Sequence, residues 1–325
     1  MKFGLALPNS GPIAGVDAIC RVAELAEAAG FDALLVHDHI HYDTEWLGHR
    51  TSGLTQPHAD IVPDLYESLI TLAWVARATT TVRLATAVLV LPLRDPRVLA
   101  RQLVTLQALS RGRLTLGVGS GDYPGDYRVM EIEYRRKAAL TRDYLDALAV
   151  LLPGGRADFR GETLRVDRGT FFPAVEPIPI LLGGGIRAVP GTGEHELFEP
   201  ALRLLARRGH GWMPEGPAAL IARGIARIAA LAQEERRHGV RFEIRAQSPL
   251  YIGADDAEAM ARVNRGLDYE LVGTAATIRA RLAQFRDAGV HAMNLRCFAA
   301  DEAAYFAMIQ RFADEIMPAF AADGM

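Results

Sequence analysis

Lysine is nearly absent from this sequence. Of the 36 basic residues, only Lys2 and Lys137 are lysines, and the remainder are arginines. Neither lysine lies at the end of a predicted strand, which is where parallel α/β proteins build their active sites. Chemistry that passes through a lysine Schiff base is therefore not expected.

Cysteine and long apolar runs are scarce as well. Cys20 and Cys297 are the only cysteines, too few for a thiolate metal site or a disulfide framework, so a reducing compartment is expected. No stretch holds about 18 uninterrupted apolar residues, and the first residues lack the apolar core of an export signal. The sequence predicts a cytoplasmic protein without a membrane partner.

An excess of charge of one sign is missing too. The formal net charge is −3, half of the residues are hydrophobic, and 23% are charged. A chain without a broad basic surface is not expected to bind nucleic acid in general, and this composition supports a large buried core. A small molecule is the expected substrate.

Short apolar runs, eight in number, recur along the chain and are separated by longer amphipathic segments. The runs lie at 3–8, 32–38, 82–92, 113–119, 178–184, 211–214, 242–253 and 290–298. The segments between them, such as 16–30, 97–112 and 275–289, repeat with helical periodicity. This alternation is typical of parallel strands joined by crossover helices.

Two architectures produce such an alternation. An open doubly wound sheet is one, but it seldom needs eight strands without a topological switch. The pattern therefore favours the α/β class with a (β/α)8 TIM barrel, formed by residues 1–325 as one domain.

Three segments are longer than ordinary connections between strands and helices. They lie near 39–63, 154–177 and 186–196. Long loops are often lids or binding loops, and we expect all three as insertions at the C-terminal mouth of the barrel. The alternating arginines within 154–177 predict a hairpin with charges on its open face.

The second apolar run ends in the densest polar cluster of the chain, which contains His37, Asp38, His39 and His41. If the strand continued, period-2 spacing would put the three histidines on one face, as a metal site needs. Later strands offer few further ligands, so no metal is expected. A second interpretation is that Asp38 caps a turn and the histidines are solvated loop residues.

Two glycine clusters follow predicted strands. The segment 113–128 runs from a buried strand into a turn with Asp122 and Asp126, where backbone can approach a ligand closely. The cluster at 181–185 leads into a helix, an arrangement that favours an anionic group such as phosphate. Either cluster is equally consistent with an ordinary tight turn.

Several motifs together resemble the luciferase-like monooxygenase family, in wording and in order, over nearly the whole chain. They are KFGLALPN, GFDALLVHDH, LATAVLVLPLRDP, LARQLVTLQALSRGRLTLGVGSGD, LLGGG and HGW. The resemblance implies a (β/α)8 barrel that binds flavin mononucleotide (FMN) or the deazaflavin coenzyme F-420 at its mouth. This fold agrees with the strand pattern.

The resemblance also implies roles for individual residues. Asp38 and His39 match an acidic residue and histidine pair, in which the histidine lies near the reactive ring face and is the catalytic candidate. Ala87 and Val88 match a bulge with a non-prolyl cis peptide that supports the coenzyme ring. Ser120, Gly121 and Asp122 match the turn beside the ring, with Asp122 as an acid. Gly183, Gly184 and Gly185 match the phosphate loop.

The type of coenzyme decides the reaction. An Asp-His pair and the GVGSGD turn look more like the F-420 branch, which implies hydride transfer to or from a small organic substrate. The alternatives are an FMN-dependent monooxygenase that uses molecular oxygen and a flavin-binding barrel without catalysis. The resemblance also implies a homodimer, and the arginine hairpin either is a solvated ribbon or grips the anionic tail of F-420.

Overall fold

The computed structural model of the protein describes residues 1–11, 13–41, 64–263 and 270–321. Runs of leucine, valine and alanine form the strands of its barrel, which are buried on both faces because helices cover them. The strands are β1 (Lys2–Ala6), β2 (Ala33–Val36), β3 (Arg83–Thr86), β4 (Leu89–Val90), β5 (Leu114–Gly119), β6 (Gly155–Arg160), β7 (Arg165–Phe171), β8 (Ile180–Gly183), β9 (Ile186–Ala188), β10 (His195–Leu197), β11 (Gly211–Met213), β12 (Glu243–Ile252), β13 (Leu271–Gly273) and β14 (Ala292–Cys297).

Eight of these strands close into a ring. Parallel pairing runs from β1 through β2, β3, β5, β8, β11 and β12 to β14, and β14 pairs with β1. Each of the eight predicted runs overlaps one strand of this ring. The (β/α)8 barrel is therefore confirmed, and closure of the ring excludes the open doubly wound sheet.

Helices surround the barrel. They are α1 (Val16–Ala28), α2 (Ser68–Ala78), α3 (Pro96–Leu109), α4 (Pro124–Val129), α5 (Lys137–Leu151), α6 (Glu199–Arg208), α7 (Ala218–Glu234), α8 (Asp256–Val263), α9 (Ala275–Asp287) and α10 (Glu302–Glu315). The start of α3 follows from local chemistry, since the Asp95 side chain accepts from the amide of Arg97 and Pro96 occupies the first turn. None of the described helices has the length and apolarity needed to span a membrane.

The barrel interior is separate from the larger core between strands and helices. Leu35, Ala85, Ala87, Leu181 and Met213 form a small apolar cluster inside the ring. The residues of this cluster alternate with outward-facing ones along each strand, as the pleat requires. Side chains therefore fill the middle of the barrel.

Charged side chains close the N-terminal end of the barrel. Arg245, which is 1% exposed, donates to Asp32 at 2.6 Å and to Glu243 at 2.9 Å, and Arg83 also binds Glu243. Burial alone would raise the pKa of Asp32 and of Glu243, but the arginines outweigh it, so both pKa values lie below their ordinary range. These carboxylates are therefore ionised and pair with the arginines.

The structure gives the positions of two of the three predicted insertions relative to the barrel. The 186–196 segment forms the β9–β10 hairpin directly after β8, at the mouth as expected. Of the 39–63 segment, residues 42–63 lie outside the described residues.

The 154–177 insertion corrects the expectation that all three lie at the mouth. It follows α5 and precedes β8, so it begins and ends at the N-terminal end of the barrel. The expected hairpin is present as β6–β7, and its turn is held on α5 by Asp143, which accepts from the amide of Thr163 at 2.7 Å. Arg165 pairs with Asp167 on the same exposed ribbon.

Tight packing inside the ring predicts the effect of one added methyl group. A β-carbon on Gly117 would lie 2.1 Å from the carbonyl oxygen of Thr86 and 2.8 Å from the sulfur of Met213. We expect Gly117→Ala to lower the free energy of unfolding by about 1–3 kcal/mol, the usual cost of overpacking. Urea denaturation measures this change, and an unchanged midpoint would contradict the packing described.

Candidate functional site

The main chain turns away from the barrel immediately after β2. Asn9, which is fully buried, accepts from the amide of His37 at 3.0 Å and donates to the carbonyl of His37 at 2.8 Å. β2 ends at Val36, so the continued strand that would align three histidines is not formed. Nδ1 of the His37 ring instead lies 3.2 Å from the carbonyl oxygen of Ala87.

Asp38 is a buried anchor. Its carboxylate accepts hydrogen bonds from both terminal guanidinium nitrogens of Arg94 at 2.6 Å, from the hydroxyl of Ser68 at 2.9 Å and from the amide of Val90 at 2.8 Å. Because these donors occupy both oxygens and the residue is 4% exposed, Asp38 orients the chain around it. It joins the end of β2 to the segment after β3 through Val90 and Arg94, a long-range role that differs from the local turn cap of the second interpretation.

The bulge after β3 has the expected form. The peptide between Ala87 and Val88 is cis, which confirms this part of the prediction. Val88 packs on the apolar cluster inside the barrel, and a β-carbon on Gly119 or Gly183 would lie only 2.7 or 3.1 Å from its methyl groups. Glycines on two neighbouring strands thus leave room for Val88 at the mouth and add no side chains beside it.

His39 forms a pair with Asp126 from the start of α4. Its Nδ1 lies 2.8 Å from Oδ2 of Asp126, while Oδ1 accepts from the amides of Ile40 at 2.9 Å and His41 at 3.2 Å. Burial alone would raise the pKa of the Asp126 carboxyl, but these hydrogen bonds outweigh it, and the pKa lies below its ordinary value. An ionised Asp126 accepts a hydrogen bond from Nδ1–H and so fixes the orientation of the ring.

The turn after β5 holds the other predicted residues. Asp122 is exposed, and its carbonyl oxygen accepts from the hydroxyl of Tyr134 at 3.1 Å. The carbonyl of Gly121 accepts from Lys137 at 2.9 Å, and that of Ser120 accepts from Tyr127. The structure therefore brings Asp126, and not the Asp122 carboxylate, against His39.

The glycine cluster after β8 adopts an open turn. Gly184 and Gly185 have φ of 79° and 82°, and a β-carbon on Gly184 would meet nothing within 4 Å. The carbonyl of Gly184 is fixed by the indole N–H of Trp212 at 2.7 Å. The next helix begins only after the β9–β10 hairpin, and its first residue is Glu199. Because that carboxylate already pairs with Arg227, the N-terminus of this helix is unsuited to a phosphate.

A small pocket opens at the mouth on the side of β1, β2, β12 and β14. Its walls include His37, Ala87, Glu215, Gln247, Asn294 and Arg296. The sequence interpretation missed the last four. For Gln247, Asn294 and Arg296 the available signal was polar residues at every second position within the apolar strands 242–253 and 290–298, since that spacing points them into the barrel.

Histidine and carboxylate side chains do not assemble a metal centre in the described ranges. No group of three or more His, Cys, Asp or Glu residues there could hold an ion. Two histidines outside the mouth accept hydrogen bonds from backbone amides through Nδ1: His210 from Ile180 and His291 from Ile244, each at 3.0 Å. These contacts align the starts of neighbouring barrel strands.

Proteins of similar sequence include some with a known coenzyme. An uncharacterized protein of Mycobacterium tuberculosis is 32% identical over 218 residues, 66% of this chain and 70% of its own length. The F420-dependent glucose-6-phosphate dehydrogenase of Kineococcus radiotolerans is 30% identical over 164 residues, 49% of this chain and 44% of the relative.

Solved structures with the same fold include coenzyme complexes. An F420-dependent secondary alcohol dehydrogenase in complex with an F420-acetone adduct superposes with a TM-score of 0.77, at 15% identity, over 97% of this chain and 98% of the other. A type II Baeyer-Villiger monooxygenase from the CAM plasmid of Pseudomonas putida, in complex with FMN, gives 0.72 at 16% identity over 98% of each chain. At these identities the two structures establish the fold.

The family assignment is based on the length of the sequence match together with the barrel. The family model for luciferase-like monooxygenases matches residues 1–271, which include β1 to β12 and every predicted site residue. The barrel, the cis peptide in the bulge and the histidine after β2 agree with the resemblance seen in the sequence. The chain belongs to the luciferase-like monooxygenase family.

Proposed function

We propose that the protein is an oxidoreductase that transfers hydride between coenzyme F-420 and a small organic substrate. The observation that carries the proposal is the His39–Asp126 pair, with Nδ1 and Oδ2 2.8 Å apart. His39 directly follows Asp38, which binds the amide of Val90 just after the bulge at Ala87 and Val88. The relative from Kineococcus radiotolerans, 30% identical and named for F420, supports this choice of coenzyme.

The residues at the mouth fit a planar ring. Val88 projects between two glycines, Gly119 and Gly183, whose missing β-carbons leave a surface without side chains on either side of it. A ring system needs such a flat, apolar support, and Val88 would provide it. Gly184 leaves open space beside the ring position, where backbone could approach a phosphate.

A bound deazaflavin supplies or accepts the hydride, and the protein supplies position and a proton. Asp126 holds the Nδ1–H of His39, so a neutral His39 has its acceptor lone pair on Nε2. In this state Nε2 takes a proton from a substrate hydroxyl, and the protonated ring returns one to a substrate carbonyl oxygen. Asp126 stabilises the protonated ring because its own carboxyl stays ionised.

The alternative is an FMN-dependent monooxygenase, which the match to the family model favours. The aspartate at position 38 is one of the two sequence features that favoured F-420 over FMN. In the structure, the shorter aspartate side chain is explained by its ion pair with Arg94 and its hydrogen bond from the Val90 amide, which fix the position of the carboxylate. The carboxylate type at this position therefore does not discriminate between the two coenzymes, and the sequence relative is the main support for F-420.

Coenzyme titration separates the three candidate functions. We expect F-420 to bind with a dissociation constant of about 1 μM or lower, and reduced F-420 to be oxidised in the presence of a substrate. Fluorescence titration of the purified protein with F-420 and with FMN measures both affinities. Tight FMN binding with oxygen consumption would replace the proposal by the monooxygenase, and binding of either coenzyme without turnover across a substrate panel would leave a non-catalytic barrel.

Replacement of Asp126 tests the role of the histidine pair. In Asp126→Asn, the side-chain oxygen keeps its hydrogen bonds from the backbone amides of Ile40 and His41. The side-chain NH2 then faces Nδ1 of His39, and because it donates, the ring proton moves to Nε2. We expect this to lower turnover about 10²–10⁴-fold, the usual contribution of general acid–base catalysis. Ring ¹⁵N shifts of His39 report the tautomer directly, without a substrate.

Asp122→Asn is the matched control, since Asp122 is exposed in the same loop. It should leave the His39 tautomer unchanged. If Asp122→Asn abolishes turnover and Asp126→Asn does not, the acid role belongs to Asp122, as the resemblance first implied.

The glycine turn after β8 is the candidate phosphate site. A valine at Gly184 would cover the open backbone and weaken binding of phosphorylated F-420 by about 10–100-fold, the loss expected for charge-assisted hydrogen bonds. Binding of the dephosphorylated analogue should change much less. Gly191→Val is the control for backbone strain, because Gly191 has φ of 77° and equally open surroundings. Equal losses for both ligands, or for both variants, would contradict this assignment.

A further inference from the structure

The pocket beside the bulge has a strongly polar wall formed by β12 and β14. Gln247 and Asn294 are direct partners in the pairing of these strands, and Arg296 follows Asn294 on the same face. All three line the pocket, whereas the glycines of the proposed coenzyme site lie on β5 and β8. The two regions meet at Ala87, so a substrate in this pocket would lie next to the coenzyme.

The buried charges at the base of the barrel determine which atom of Asn294 faces the pocket. The Nε–H of Arg245 donates to Oδ1 of Asn294 at 3.2 Å. A guanidinium can only donate, so the amide atom facing it is the oxygen and the pocket side carries Nδ2. The floor of the pocket therefore presents a hydrogen-bond donor.

Among the described residues, this donor has no acceptor. Asn294 is 4% exposed, and its Nδ2 has no hydrogen-bond partner among the described residues. A buried amide N–H without an acceptor is unfavourable, and in native structures such groups often mark the place of a ligand. An acceptor atom of a ligand above Asn294 would satisfy it.

A positive charge lies next to this donor. In the described part of the chain, the guanidinium of Arg296 forms no ion pair and no hydrogen bond, and it lies 5.7 Å from the ring centroid of Phe298. The carboxamide of Gln247 adds a third polar group. Glu215 also lines the pocket, so an anionic group would bind toward Arg296 and Asn294 and away from Glu215.

We propose that the substrate is a small organic carboxylate, whose anionic group is bound by Asn294 Nδ2 and the Arg296 guanidinium. A planar carboxylate matches a guanidinium fork and an adjacent amide donor. The identification of this ligand as the substrate rests on the proposed oxidoreductase function. Recognition of the carboxylate itself is a property of the pocket and requires no coenzyme.

Benzoate and its neutral isostere benzamide are suitable probes, because they differ in charge and hardly in shape. Calorimetry on the purified full-length protein without coenzyme should give at least tenfold tighter binding for benzoate. We expect Arg296→Gln and Asn294→Asp each to weaken benzoate binding at least tenfold and to remove the preference over benzamide. Asn294→Asp keeps an oxygen for Arg245 while placing a second carboxylate oxygen in the pocket.

Arg241→Gln is the matched control, since it removes the same charge at an exposed position before β12. It should leave benzoate affinity unchanged. Equal affinities for the two probes, no saturable benzoate binding up to about 10 mM, or indifference to both pocket variants would overturn the proposal.

A second titration, in the presence of saturating F-420, keeps this proposal separate from the proposed coenzyme. Benzoate should still bind, because its pocket lies beside the coenzyme region. Competition between benzoate and F-420 would assign the pocket to the coenzyme and overturn the proposal. If F-420 does not bind at all but benzoate binding depends on Arg296 and Asn294, the coenzyme assignment fails and the carboxylate pocket stands.

Discussion

The geometry of the mouth depends on the buried ion pair between Asp38 and Arg94. Three chain segments meet at this carboxylate: the end of β2, the start of α2 through Ser68, and the segment after the bulge through Val90. Removal of one partner from a buried pair lowers the free energy of unfolding by about 3–5 kcal/mol, since the other charge is left buried without a partner. His39 directly follows this anchor in sequence, so its backbone position is set by Asp38, and Asp126 then sets the direction of its ring.

Most of the fold could be predicted from sequence, because each barrel strand is buried on both faces and its composition shows this. Even the three-residue strand Gly211–Met213 corresponds to a recognisable apolar run in the sequence. The placement of the 154–177 insertion was wrong for a physical reason. Its alternating pattern predicts a hairpin but says nothing about which end of the barrel carries it, and only the order of α5 and β8 determines that.

The candidate site was less accessible to sequence reasoning. His39 and the bulge were found through a motif, whereas the choice between Asp122 and Asp126 depends on how the chain turns after β5. A four-residue shift moves a carboxylate from the exposed loop into the first turn of a helix, where it reaches the histidine. Asn294 and Arg296 were hidden for another reason, since each is an isolated polar residue and becomes a pocket wall only when β14 pairs with β12.

The pairing of β1 with β14 also affects how the chain folds during synthesis. Lys2 lies opposite Ala292 in this pairing, so the ring cannot close until the segment Ala292–Cys297 has left the ribosome. During that interval β1 has an edge whose N–H and C=O groups lack their native partners, and contacts this distant in sequence form slowly. Any strands that pair before then form a sheet with a free edge, at which intermolecular pairing is possible until the last strand is made.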